Sequence, residues 1–209
     1  DLRTRLLEIY NHVSMDVTGA RMILDAMLLA LPKLVTRSQT GLDIAIMPEL
    51  RLAPTDGVQI TNSQTGYQLW LTGSVDYAVI KYTLDDDGNN KGKFDARLLG
   101  SGGLRKNNVL KIARGRLFLV KAKRENPDRS GLASYVPEAV SQAMAVIKST
   151  GSPRVRYCLS NGATWLFCLL MFENNQWRNY VAPPLQLKDR IEASDEGLRL
   201  IVQLLLEWV

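Results

Sequence analysis

The chain has 209 residues, of which 46% are hydrophobic, 22% charged and 7% aromatic, with two cysteines, one histidine and a formal charge of +5. That profile excludes disorder and supplies enough apolar material for one compact domain over 1–209. No run approaches the roughly 18 apolar residues that cross a bilayer as a helix, and the first residues carry no secretory pattern, so an intracellular protein without membrane partners is expected. A lone histidine, His12, read as structural, excludes multi-imidazole chemistry, and two cysteines exclude a Cys-rich zinc site. The charge is concentrated. Arg105, Lys106, Lys111, Arg114, Arg116, Lys121, Lys123 and Arg124 lie within residues 105–124 with no acid among them, and the remainder of the chain is net negative by three. A polyanionic partner would meet this segment first.

In chain order, Leu2, Leu6, Ile9 and Val13 recur at helical spacing, as do Met22, Ile23, Ala26, Met27 and Ala30 after the cap candidates Asp16 and Thr18. Two helices, or one interrupted between Ser14 and Gly19, are expected in an N-terminal helical region over 1–50, with Pro32 and the polar run 36–40 ending them. Residues 44–50 read as a short strand. The stretch 67–82, YQLWLTGSVDYAVIKY, reads as two strands joined by a tight turn at Gly73-Ser74. Period two places Asp76, Ala78 and Ile80 on one face and Val75, Tyr77 and Val79 on the other.

Residues 85–108 contain DDDGNNKGK and GSGG and read as a long surface excursion. The strand 117–123, LFLVKAK, then carries Leu117, Leu119, Lys121 and Lys123 on one face. Pro137 opens a helix on which Glu138 and Gln142, four apart, share a face. Asn161-Gly162 marks a hairpin; a two-residue turn there sets Cys158 opposite Trp165 and Cys168 on the other side of the sheet, so no disulfide is expected. Ser194 caps a C-terminal helix within 189–209. The whole reads as an α/β (α+β) fold with a mixed central sheet flanked by helices and no βα repeat.

Three short motifs carry the chemistry: G73-S-V-D76 entering a strand, L-F-L-V-K121-A-K123-R on the next, and E138-A-V-S-Q142 on the following helix. In that order, across a core region of 67–171, they resemble the PD-(D/E)XK nuclease superfamily, its RecB-like branch above all, and a group of fungal proteins that carry such a domain. The resemblance implies a restriction-endonuclease-like core: a helix, a three-stranded antiparallel meander with Asp on the second strand and Glu-x-Lys on the third, then a helix and a strand. It further implies hydrolysis of nucleic-acid phosphodiester bonds, DNA first, with Mg²⁺ or Mn²⁺. A divalent ion held by carboxylates neutralises developing charge and acidifies the attacking water. Asp76 would then be a metal ligand, Lys123 would act on the water or the phosphorane charge, and Gln142 would assist. Arg105, Lys106, Lys111, Arg114, Arg116 and Arg124 would hold phosphates.

The departure is Lys121, which stands where the resemblance calls for a glutamate and cannot ligate Mg²⁺. Glu138 is the first candidate for a relocated carboxylate ligand and Glu49 the second. Two functions are therefore expected as alternatives: a metal-dependent nuclease, or a nuclease fold that has lost hydrolysis and serves as a DNA-binding or protein-interaction module. Either is compatible with a homodimer or a larger parent protein.

Overall fold

The fold was analysed in a computed structural model that describes residues 1–38, 42–51, 57–61, 65–83, 117–123 and 131–208. The expected excursion over 85–108 and the basic residues Arg105, Lys106, Lys111, Arg114, Arg116 and Arg124 lie outside the described residues.

Helix α1 (Leu2–His12) begins where the Asp1 carboxylate accepts the Arg3 N–H at 2.8 Å. Helix α2 (Val17–Ser38) begins in the same way, with Asp16 Oδ1 accepting from the Thr18 and Gly19 N–H groups at 2.8 and 3.0 Å. Pro32 does not end α2 but lies inside it. An internal proline costs a helix about 3 kcal/mol through one lost hydrogen bond and a ring clash. Here Ile23, Leu24, Met27, Leu28, Leu31 and Val35 are all buried along the helix, and burial of that many side chains, each contributing about 1.5–3 kcal/mol, offsets the cost.

Strands β1 (Leu42–Arg51), β4 (Ser74–Thr83), β5 (Leu117–Ala122), β6 (Arg154–Ser160), β7 (Thr164–Glu173) and β8 (Gln176–Val181) form one sheet in the order β1-β4-β5-β6-β7-β8, with β9 (Leu185–Gln186) pairing β7. Every pairing is antiparallel except β5–β6. That parallel pair is bridged by helix α3 (Val136–Thr150), since a parallel neighbour requires a crossover. A separate ribbon of β2 (Val58–Thr61) and β3 (Gln68–Leu71) is inserted between β1 and β4.

Helix α3 covers one side of the sheet through Ala139, Ala143, Val146 and Ile147, packed with Ala78, Leu119, Tyr157 and Leu166. Helices α1, α2, α4 (Lys188–Ile191) and α5 (Glu196–Trp208) cover the other, over Val79, Phe118, Cys158, Trp165 and Phe167. The protein is thus an α+β fold with a mixed, seven-stranded central sheet between two helical layers. No described helix is long and apolar enough to cross a membrane.

Three further expectations are corrected. The strands on either side of Gly73-Ser74 do not pair with each other: β3 pairs β2, and β4 pairs β1 and β5. Leu71 and Ile60 reach apolar cover on Ala145 of α3, so the ribbon has its own small core and needs no contact with β4. Alternation along β4 is also broken, because Val75 joins the cluster of Ala78 and Ile80 while Tyr77 and Val79 face the other side. The break lies at Asp76. Its neighbour in the β1 register, Glu49, falls between the pairs Pro48↔Tyr77 and Leu50↔Val75 and has a left-handed φ of 50°, which rotates both strands locally.

The third correction concerns the β6–β7 hairpin, in which Trp165 pairs Ser160 and Cys158 pairs Phe167. Asn161 Oδ1 accepts from the N–H groups of both Ala163 and Thr164, which leaves four residues between the paired Ser160 and Trp165 and moves the register by two. A shift of two preserves parity, so Cys158 and Cys168 still lie on opposite faces, and both are buried free thiols.

Candidate ionic site

The pairing of β4 with β5 runs from Ile80↔Leu117 to Tyr77↔Val120, one residue short of Asp76. Past that point a side chain takes over from the backbone: the Ala122 N–H donates to Asp76 Oδ2 at 2.9 Å. Asp76 is 7% exposed, so its charge needs partners close at hand. Arg21, from the first turns of α2, donates from Nη2 to Asp76 Oδ1, and its Nη1 lies 3.7 Å from Glu49 Oε1. The hydrogen bond and charge of Asp76 raise the Arg21 pKa further above its ordinary value, against the opposing effect of partial burial.

Lys121 and Lys123 project on one side of β5 toward the N-terminal end of α3. The Lys121 ammonium donates to the Ser74 carbonyl at 3.1 Å and lies 3.8 Å from Asp76 Oδ2 and 3.7 Å from Glu138 Oε1. Lys123 donates to Glu138 Oε2 at 2.5 Å and stands over the Tyr135 ring, 4.7 Å from its centroid. Gln142, one turn along α3, donates to Glu138 Oε1 at 3.3 Å. Burial opposes ionisation of Glu138, yet Lys123, by hydrogen bond and charge, and then Lys121 outweigh it and hold the carboxyl below the ordinary glutamate value.

Asp76, Lys121, Lys123, Glu138 and Gln142 therefore form one connected cluster, and Glu49 joins it through Arg21. Three cations face three carboxylates. Beside them a cleft of about 580 Å³ is lined by Thr18, Arg21, Glu49, Asp76 and Tyr77 among others. Gly73, at φ 137°, turns the chain into the site; a Cβ placed there would lie 3.9 Å from Gln142 Nε2.

Arg21 was not singled out by the sequence. It lies 55 positions from Asp76 and outside every motif, on a helix whose pattern reports its apolar face and not what its polar residues meet. Tyr135, in the turn before α3, is a second residue that only the packing reveals.

The donor set does not suit a divalent ion as arranged. Both oxygens of Asp76 already accept hydrogen bonds, and a lysine ammonium occupies the space toward Glu138. Among the described residues no group of three or more His, Cys, Asp or Glu side chains is placed to hold a metal. Chemically the cluster is an ion-pair network around one buried carboxylate, Asp76, with Glu49, Glu138 and Arg21 open to solvent and its cations supplied by the chain itself. A scan of protein-family models and a search of curated proteins return no match to this sequence.

Proposed function

We propose that this domain binds nucleic acid, DNA first, on a nuclease-derived core that does not hydrolyse it. The observation that carries the reading is the placement of Lys121: its ammonium is held by the Ser74 carbonyl between Asp76 and Glu138, where the resemblance calls for a metal-ligating carboxylate. Further support comes from the order of elements. Three antiparallel strands, β1, β4 and β5, precede α3 and the parallel strand β6, with Asp76 on β4, Lys121 on β5, Lys123 just past its end, and Glu138 and Gln142 on α3, in the order of the resemblance's motifs. The acid-free basic stretch 105–124, which includes β5, supplies the attraction for a phosphate backbone.

Supercoiled plasmid and labelled oligonucleotides incubated with Mg²⁺ or Mn²⁺ test the reading. The expected result is no cleavage, together with binding that weakens steeply as salt rises, because each neutralised phosphate releases counterions. Cleavage that disappears in Asp76→Ala overturns the loss of hydrolysis. Absence of affinity for any oligonucleotide at low salt overturns the binding role in favour of a protein-interaction module.

A further inference from the structure

Asp76 and Glu49 are bridged by the Arg21 guanidinium, while Asp76 and Glu138 are bridged by the Lys121 ammonium. Each pair of carboxylates that a divalent ion would need to draw together is thus already held by a monovalent cation on a side chain. We infer that Arg21 and Lys121 act jointly as resident counter-ions of Asp76, so that metal binding is blocked twice, from α2 and from β5, and removing either cation alone leaves the site closed. The inference rests on the reading of a nuclease-derived core, and it adds a residue that none of the motifs contains.

The physical reason lies in the division of Asp76 between its two oxygens. Oδ1 faces Arg21, and Oδ2 faces Ala122 and Lys121. Replacing Lys121 by glutamate removes the cation only from the Oδ2 side and leaves Oδ1 bound to the guanidinium. Arg21 carries a charge that no ordinary pH removes. An incoming ion would have to displace it from a carboxylate that is largely withdrawn from water, where such a contact is strong.

The probe is Mn²⁺ alone, measured by calorimetry and by its effect on the melting temperature, with the wild type, Lys121→Glu, Arg21→Met and the double variant. Millimolar Mn²⁺ should neither bind nor raise the Tm of the first three. The double variant should bind it at least about tenfold more tightly than either single variant, about 1.4 kcal/mol of coupling, with a matching rise in Tm. Binding to Lys121→Glu as tight as to the double variant overturns the role of Arg21 and leaves the proposed function standing. Binding to the wild type overturns the inference, and cleavage of nucleic acid by that metal-bound form overturns the proposed function as well.

Should the double variant fail to fold, Asp76→Asn in the wild-type background gives a second reading. A carboxylate in an empty metal site is repelled by its neighbours, so neutralising it raises the Tm; one clasped by two resident cations stabilises the fold, so neutralising it lowers the Tm. A fall is expected, and a rise overturns the inference.

Discussion

The β4–β5 and β6–β7 pairs lie in one sheet, on either side of the parallel seam, and they treat buried polarity in opposite ways. Around β6 and β7 the buried polar side chains of the hairpin, Ser160 and Asn161, are neutral and find their partners within four residues. The Ser160 hydroxyl donates to the Thr164 carbonyl at 2.9 Å and accepts the Gly162 N–H, Asn161 closes its own turn, and the Tyr157 hydroxyl donates to Asn179 on β8. Burial pushes the Cys168 thiol up to about 11 and raises Cys158 as well, so both stay protonated at neutral pH. At the open end of β4 and β5 the groups are charged, and their partners come from α2 and α3. The hairpin tip satisfies the Ser160 and Asn161 side chains with its own residues, whereas the ionic cluster draws its members from α2, β1, β4, β5 and α3. The first is a property of a segment and the second of the assembled domain.

The largest effect that tests this contrast lies in the hairpin. Trp165 is fully buried and stacks on Phe167, so Trp165→Ala should cost about 3–5 kcal/mol in urea denaturation. Trp165→Phe should cost much less, because among the described residues the buried indole N–H has no hydrogen-bond partner to lose. Equal costs for the two would mean that the N–H matters more than the packing.

A middle-sized effect is expected at the hairpin tip. Gly162 has φ 86°, its carbonyl accepts from the Tyr10 hydroxyl at 2.8 Å, and a Cβ there would meet the α2 backbone at Ala20 Cα, 3.3 Å away. Gly162→Ala combines a strained backbone with this close approach and should destabilise by about 1–3 kcal/mol. A neutral result would show that the hairpin tip can withdraw from α2, and would weaken the claim that this half of the sheet is rigid.

The smallest effect belongs to the ionic half. Glu138 is about half exposed, so Glu138→Gln should cost less than about 1 kcal/mol at neutral pH. Its carboxyl is held below the ordinary glutamate value, so its contribution is present in full above the unfolded-state pKa and is lost as pH falls through the lower native one. The stability difference between wild type and Glu138→Gln should therefore shrink on acidification. A difference that persists in acid would show that packing, not ionisation, is its source.

Much of the candidate site was legible because its members repeat at fixed intervals on regular elements. Lys121 and Lys123 share a strand face by period two, and Glu138 and Gln142 share a helix face by a spacing of four. The side of the sheet that each cysteine faces followed from the same parity and survived a register error of two residues. The hairpin signal at Asn161-Gly162 was correct in place and wrong in length, since the sequence does not reveal that the Asn161 side chain would bind two backbone groups. A tight two-residue turn is formed instead by Asn174-Asn175, both at positive φ, between the paired residues Glu173 and Gln176.

By itself the sequence determined the main helices, most of the strands, the α+β class and the shared face of Lys121 and Lys123, because these follow from periodicity and turn chemistry within a few residues; the approach of Asp76 to those lysines was what the resemblance implied. Only the tertiary structure decided that Pro32 lies inside a helix, that β3 leaves the main sheet, that the pleat breaks at Asp76, and that Arg21 completes the cluster. Each of these depends on what lies across a packed interface. Burial can outweigh a proline, an apolar patch on α3 can draw off a strand, and a helix can bring a cation to a carboxylate 55 positions away. Periodicity reports which face of an element is buried, and packing alone decides what that face meets.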